Sequence, residues 1–378
     1  MLPKVSITRC PDYKKTSVDA ALEEAVGLLG GIRSFVKPGE KILIKPNLLA
    51  AKEVGTAVTT HPAVIAAVID MVKAAGAAPF VGDSPALGTA HKVAERCGIM
   101  KVCSEAHVPL VDLKTPTIVD NPAGHKFKRL EVSKEALDAD GIINVGKLKT
   151  HVQMYLTLGV KNTFGCVPGK LKAQWHLSAG TDARSFADML LDLHLFLAPR
   201  LNIIDGVTAM EGNGPSAGVP RHLGLIFGSS DAVAMDTAIT LALGARQKDV
   251  PILTSARERG MRQAKNDGFD VLGVPIHEAR VKDFLFPPLT SVNFSASLPY
   301  FIDKRLRRAL TSRPRVDHKR CTLCGVCVDV CPPSIMDKST KLSIDYDKCI
   351  RCYCCSEICP RGAISPVDGW LKKIIPGL

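Results

Sequence analysis

Aromatic residues are scarce in this chain: two Trp, five Tyr and twelve Phe make up 5% of 378 residues. The interleaving of basic and aromatic side chains on which unpaired bases stack is therefore missing, and no nucleic-acid partner is expected despite a net charge of +12. Dinucleotide fingerprints are absent too, and Gly212-Asn213-Gly214 lacks the Lys-Ser/Thr ending and helix start of a phosphate loop. Residues 1–10 hold no apolar run of signal-peptide length. The best apolar stretch, residues 189–198, is short and broken by Asp192 and His194, so no spanning helix is expected. Acidic residues are missing from one long stretch. None lies between Asp140 and Asp182, while Lys147, Lys149, Lys161, Lys170 and Lys172 fall inside it with His151 and His176. Clustered ammonium groups repel one another unless an anion joins them, so a phosphate, a carboxylate or a similar group is an expected ligand. The plain alternative is a solvated basic loop.

What the chain has in abundance is cysteine at one end. Cys-x-x-Cys-x-x-Cys-x-x-x-Cys-Pro is written twice, first as Cys321, Cys324, Cys327, Cys331 and Pro332, then as Cys349, Cys352, Cys355, Cys359 and Pro360. Zinc sites use separated pairs or Cys/His mixtures rather than uninterrupted triplets with a Cys-Pro partner. In the doubled arrangement three close thiolates hold one [4Fe–4S] cluster and the fourth crosses to the other. Cys321, Cys324, Cys327 and Cys359 are thus one expected set, and Cys349, Cys352, Cys355 and Cys331 the other. This segment resembles the bacterial two-cluster ferredoxin over residues 314–366. Residues 341–346 alternate polar and apolar as a short strand does. Cys354 is surplus to both sets and reads as a spectator thiol. With eight cysteines assigned, secreted disulfides are not indicated, and a cytoplasmic location is expected. Cys10, Cys97, Cys103 and Cys166 read as small buried hydrophobes.

Residues 1–290 alternate strand-like and helical patterns. Strands are expected at residues 4–9, 41–45, 80–83, 141–145, 201–204 and 222–227, and helices at 17–36, 61–76, 182–197 and 231–243. Such alternation predicts an α/β domain with a mainly parallel sheet, whose ligands bind beyond the carboxyl ends of the strands. Loops read at those ends are Lys45-Pro46-Asn47, Gly82-Asp83-Ser84-Pro85, Asn144-Val145-Gly146-Lys147 and the run from Asp205 to Pro215. Each taken singly is ordinary turn chemistry, but together they suggest a shared site. Asp83, Asp205 and Glu211 are candidate proton-transfer carboxylates, which lysines would keep ionised.

The segments Lys45-Pro46-Asn47, Gly82-Asp83-Ser84-Pro85, Lys147-Leu148-Lys149-Thr150-His151, Gly159-Val160-Lys161-Asn162 and the run from Asp205 to Pro215 resemble the DUF362 family across nearly the whole chain. That resemblance implies an iron–sulfur protein with an α/β domain distantly similar to the lactate racemase fold and a small α+β ferredoxin module. It supplies no reaction. Four segments are expected: the α/β domain at 1–290, a basic linker at 291–313, the cluster domain at 314–366 and a tail at 367–378. The expected function is electron transfer through two [4Fe–4S] clusters, serving a large domain that binds an anionic substrate or partner. Lys45, Asn47, Lys147, Lys149, Lys161, Asn162 and Asp205 are the candidate binding residues, and Asp83, Glu211 and His151 the candidate catalytic ones. A redox enzyme acting on an anionic small molecule and a redox-responsive regulator are the alternatives. The basic residues around Lys304, Arg307, Arg308, Arg313, Arg315 and Arg320 read as a solvated linker. Their sharper use is docking an acidic redox partner such as a ferredoxin or flavodoxin. Residues 370–375 could touch a membrane surface, but packing or fraying of the tail is the expected state.

Overall fold

The structure is a computed structural model that describes residues 1–86, 88–179, 183–288 and 312–367, without the side chain of Lys170. The basic run at 304–308 and the terminal 370–375 segment lie outside the described residues. In chain order the strands of the large domain are β1 (Lys4–Arg9), β2 (Lys41–Lys45), β3 (Ala78–Asp83), β4 (Leu110–Asp112), β5 (Pro116–Asp120), β6 (Arg129–Ser133), β7 (Gly141–His151), β8 (Tyr155–Thr157), β9 (Leu201–Glu211), β10 (Val219–Ser229) and β11 (Asp270–Gly273). Nine of them form one sheet in the order β11-β1-β10-β9-β7-β2-β3-β4, with β8 paired to β7. Its centre, β9-β7-β2-β3-β4, is parallel throughout, and β10 runs antiparallel to both of its neighbours. β5 and β6 make a separate hairpin.

Strand β2 shows why this is a three-layer α/β fold. In Lys-Ile-Leu-Ile-Lys the side chains alternate faces, yet all three apolar ones are buried, because Ile42 and Ile44 enter one core and Leu43 the other. Strands covered on both sides read as continuous apolar runs. On the Ile42 face lie the helices Lys15–Leu28, through Val18, Leu22 and Val26, and Pro62–Ala74, through Val64, Val68 and Val72. The opposite face carries the helices Ala183–Leu197 and Ala232–Ala242, the latter started by Asp231, whose carboxylate accepts from the Ala234 N–H at 2.9 Å. The fold class expected from the sequence is the one observed.

Two kinds of boundary differ from expectation. The first helix stops at Leu28 rather than continuing to 36, because Gly30 and Gly31 adopt φ of +105° and +83°, which a right-handed helix does not use. β7 and β9 each run eleven residues, so Gly146 to His151 and Asp205 to Glu211 are strand where loops were expected. Polar residues made those stretches look like turns. They are buried strand positions whose polar groups find partners in the fold.

The small domain holds β12 (Arg313–Val316) against β15 (Ile364–Val367), and β13 (Met336–Asp337) against β14 (Ser343–Ile344). The expected 341–346 strand is thus reduced to two residues. Leu342 joins Cys327, Met336, Cys355 and Ile364 in a core of its own. Two short helices, Val326–Asp329 and Cys354–Ile358, carry the cysteine runs. The second faces the large domain. There the Ser216 Oγ donates to the Glu357 carbonyl at 2.5 Å, and Lys52 Nζ donates to the Pro360 carbonyl at 3.1 Å.

Candidate functional site

The eight cysteines of the doubled run divide in space as they divide by spacing. Cys321, Cys324, Cys327 and Cys359 line one small cavity with Leu342 and Ile364. Cys331, Cys349, Cys352 and Cys355 line a second one with Met336 and Ile344. The fourth thiol of each run crosses to the cavity of the other. Among the described residues no three His, Cys, Asp or Glu side chains converge on a single point as ligands of one ion would. A tetrahedral zinc needs sulfurs within about 2.3 Å of one centre. Thiols set around an apolar hollow fit a cluster several atoms wide instead.

A larger cavity, of about 340 Å³, lies where the two domains meet, beyond the carboxyl ends of β2 and β3. Lys45 closes β2 and Asp83 closes β3; their charged atoms are 2.9 Å apart and both side chains are buried. Asp83 also accepts the Leu48 and Ser84 N–H groups at 2.6 and 2.7 Å. Gly165 allows this pair to form. A Cβ there would stand 2.1 Å from Asp83 Oδ1 and 2.4 Å from Lys45 Nζ. Lys149 comes from the far half of β7 and donates to Asn47 Oδ1 at 2.7 Å and to the Val58 carbonyl at 2.6 Å. Asn47 donates to Asn162 at 3.0 Å, and Asn162 to Asn144 at 2.8 Å, so a row of amides fixes the floor. Lys172 donates to the Ser84 carbonyl and sits 5.6 Å from the Phe164 ring centre. From the small domain, Asp329, Val330, Cys354, Glu357 and Ile358 complete the wall.

Burial governs the electrostatics of this wall. It lowers Lys172 to about 7, an effect the Asp83 carboxylate opposes. Lys149 is driven well below its usual range by burial and by the Lys161 charge. Lys161 is also lowered by burial, offset in part by Glu357, and no hydrogen bond to its ammonium is found among the described residues. His176 is pushed down to about 3 by burial and stacks on Phe186 at 4.2 Å, so it lines the cavity as a neutral ring. For Glu357, burial would raise the carboxyl, but the neighbouring His151 ring and the Lys161 charge hold it down at about 2.

The structure brings together only some of the residues expected from the sequence. Lys45, Asn47, Asp83, Lys149, Lys161 and Asn162 line the cavity. His151 stands one layer behind it. Its Nδ1 accepts the Gln153 and Met154 N–H groups, each at 3.1 Å, which leaves the ring proton on Nε2, 2.8 Å from Glu357 Oε1. The two atoms lie close without a hydrogen bond between them, so the contact is mainly electrostatic. Lys147 and Asp205 are not at the cavity. They sit opposite each other on β7 and β9 and pair at 2.8 Å, with Tyr13 bonded to both. Glu211 is also elsewhere, accepting the Leu285 N–H at 3.1 Å and lying 3.9 Å from Arg221. Lys172, His176, Cys354 and Glu357 belong to the site and were not singled out for it. The acid-free stretch pointed to the first two. Nothing local could have joined Cys354 and Glu357 to a lysine some two hundred residues earlier. Cys10, Cys97, Cys103 and Cys166 are buried as expected.

Comparison with known proteins agrees with this division. Residues 42–240 match the domain of unknown function DUF362. Residues 313–360 match a 4Fe-4S dicluster domain, so the small domain is a 4Fe–4S-binding ferredoxin domain. The thylakoid-associated protein sll1697 of Synechocystis sp. is 43% identical over 261 residues, which cover 69% of this chain and 81% of that protein. Among solved structures, the lactate racemase apoprotein from Thermoanaerobacterium thermosaccharolyticum is 12% identical, with a TM-score of 0.41, over 64% of this chain and 57% of that one. Among the described residues, no helix is long and apolar enough to cross a membrane.

Proposed function

The chain belongs to the DUF362 family, and from that premise we propose that it is an iron–sulfur electron-transfer protein whose two [4Fe–4S] clusters serve an anionic small molecule bound between its domains. One observation carries the proposal: the helix Cys354–Ile358, which bears Cys355 and lies just before Cys359, is also a wall of the lysine-lined cavity. Cys321, Cys324, Cys327 and Cys359 would hold one cluster, and Cys331, Cys349, Cys352 and Cys355 the other. When bound, such clusters take up and release single electrons at potentials set by their surroundings. The large domain would supply what a cluster cannot. Lys149, Lys161 and Lys172 attract and orient the anion, and the apolar wall excludes water from it. Lys172, lowered to about 7, can give or take a proton at neutral pH. Asp83, tied to Lys45 and two N–H groups, orients Lys45 rather than moving protons.

Electrons would arrive from an acidic soluble partner at the exposed Arg313, Arg315, Lys319 and Arg320 beside the clusters. Reversing charge at Arg315 and Arg320 should slow reduction by ferredoxin or flavodoxin most at low salt; a salt-independent, unchanged rate removes this docking surface. The thylakoid association of the relative favours a membrane-surface location over the cytoplasm, and fractionation of the native cell decides between them.

The central test is spectroscopic. Protein purified without oxygen should contain about eight iron and eight sulfide, as two cubanes require. A molecule that fills the cavity should change the EPR spectrum of the reduced clusters in the parent protein and not in Lys161→Met. A spectrum indifferent to every bound anion would separate the cavity from the clusters and leave only a carrier.

A further inference from the structure

We infer that the ligand of the interdomain cavity is a small organic carboxylate with an apolar body, an inference that rests on the function proposed above and narrows it. The lining favours an anion. Lys149, Lys161 and Lys172 stand on the described wall, and Asp83 is already paired with Lys45 at 2.9 Å.

Donor chemistry sets the group. Phosphate sites are built from arginine forks, helix N-termini and concave runs of backbone N–H groups. Among the described residues, no arginine lines this cavity. The Gly169 N–H on the cavity wall is already taken, donating to Ser84 Oγ at 2.8 Å. What remains are ammonium groups, of which Lys161 is free of any hydrogen bond among the described residues. Two or three point donors suit the two oxygens of a carboxylate.

Shape sets the body. A cavity of about 340 Å³ is at the small end for organic ligands. Leu48, Leu49, Phe164, Val330 and Ile358 give the wall its large apolar surfaces. A fully hydrated inorganic anion would waste that surface, whereas a ring or short alkyl chain gains about 25 cal/mol for each Å² it buries.

Calorimetry on the full, cluster-loaded chain tests this with benzoate, benzyl alcohol and inorganic phosphate as probes, and with the visible absorption of the clusters as the check on folding. Benzoate should bind more tightly than phosphate, and benzyl alcohol at least tenfold more weakly than benzoate. Lys161→Met, with its cluster absorption intact, should weaken benzoate at least tenfold. Should that variant lose its clusters, Leu49→Glu on the apolar part of the wall is the second probe, and it should weaken benzoate by a similar factor. Phosphate binding more tightly than benzoate, with the same dependence on Lys161, overturns the carboxylate while keeping an anion site. Benzoate binding that neither variant weakens overturns the placement in this cavity. Binding of neither anion overturns this inference and the small-molecule site together, leaving electron transfer by the clusters to be judged by the EPR and iron measurements alone.

Discussion

Glu357 of the ferredoxin domain places its Oε1 2.8 Å from the Nε2 of His151, the last residue of β7, and this contact joins the helix of the second cysteine run to the central sheet. Both side chains are nearly out of solvent, at 15% and 1% exposure. A mobile ferredoxin module would have little reason to bury a carboxylate against its neighbour. The pairing means that the two domains present one composite wall to the cavity.

Replacing Glu357 by Leu should loosen that wall. The loss of the His151 contact, with Lys161 left without its nearest counter-charge, should cost about 2 kcal/mol. Chemical denaturation followed by cluster absorption would show an earlier midpoint. A midpoint equal to that of the parent protein would mean that the contact contributes nothing to docking.

Gly165→Ala should be among the most harmful small substitutions in the large domain. The added methyl meets Asp83 Oδ1 at 2.1 Å and Lys45 Nζ at 2.4 Å, so the buried pair must separate or the turn must shift. Separation of a buried pair or overpacking on this scale costs about 3 kcal/mol. Thermal unfolding is the measurement, and a change within error would show that the turn yields freely.

Crossed ligation predicts which double variants spare a cluster. Cys321→Ser with Cys359→Ser strikes one set of four, so about half the iron should remain, with one cluster's EPR signal. Cys349→Ser with Cys359→Ser strikes both sets, and nearly all iron should go. The reverse order, with about half the iron kept in the Cys349/Cys359 variant and nearly none in the Cys321/Cys359 variant, would show that each run serves its own cluster.

Acid should destabilise the large domain well before its carboxylates titrate. His61, His151 and His194 are each pushed down to about 4, first of all by burial, and His176 to about 3. A folded-state value below the unfolded one, near 6.5, means that the unfolded chain binds more protons. Stability from these rings is therefore complete above pH 6.5 and is lost as pH falls from there through 4. Each ring should account for about 2 kcal/mol between pH 7 and 5. His194 is the cleanest test, because burial is the sole cause of its shift and its Nδ1 finds no partner. His194→Phe should flatten the pH dependence of Tm, and an unchanged slope would show that the ring is solvated.

The helical and strand periods of the large domain were legible because burial on both faces of a sheet leaves long apolar runs such as Ile42 to Ile44. β7 and β9 were cut short in that reading because their far halves carry Lys147, Lys149, Asp205 and Glu211. Such residues look like turn or solvent positions until their partners are known. Lys147 faces Asp205 across neighbouring strands, fifty-eight residues on in sequence, so no local pattern could show that this lysine is already satisfied. Lys149 and Lys161 have the same chemistry and the same kind of neighbourhood in sequence, yet they face the cavity.

By itself, the sequence pointed to 4Fe–4S binding in the small domain, since two cysteine triplets and two Cys-Pro steps carry that chemistry in their spacing. It also determined the α/β class, which follows from periodicity, and the presence of an acid-free basic stretch. The tertiary structure decided which of the lysines in that stretch are matched and which remain available. Charge balance is a property of neighbours in space, and Asp83, Asp205 and Glu357 reach these lysines from three distant parts of the chain. It also decided that the cysteine-bearing helix closes the lysine-lined cavity, because only packing of one domain on the other can build a wall from both.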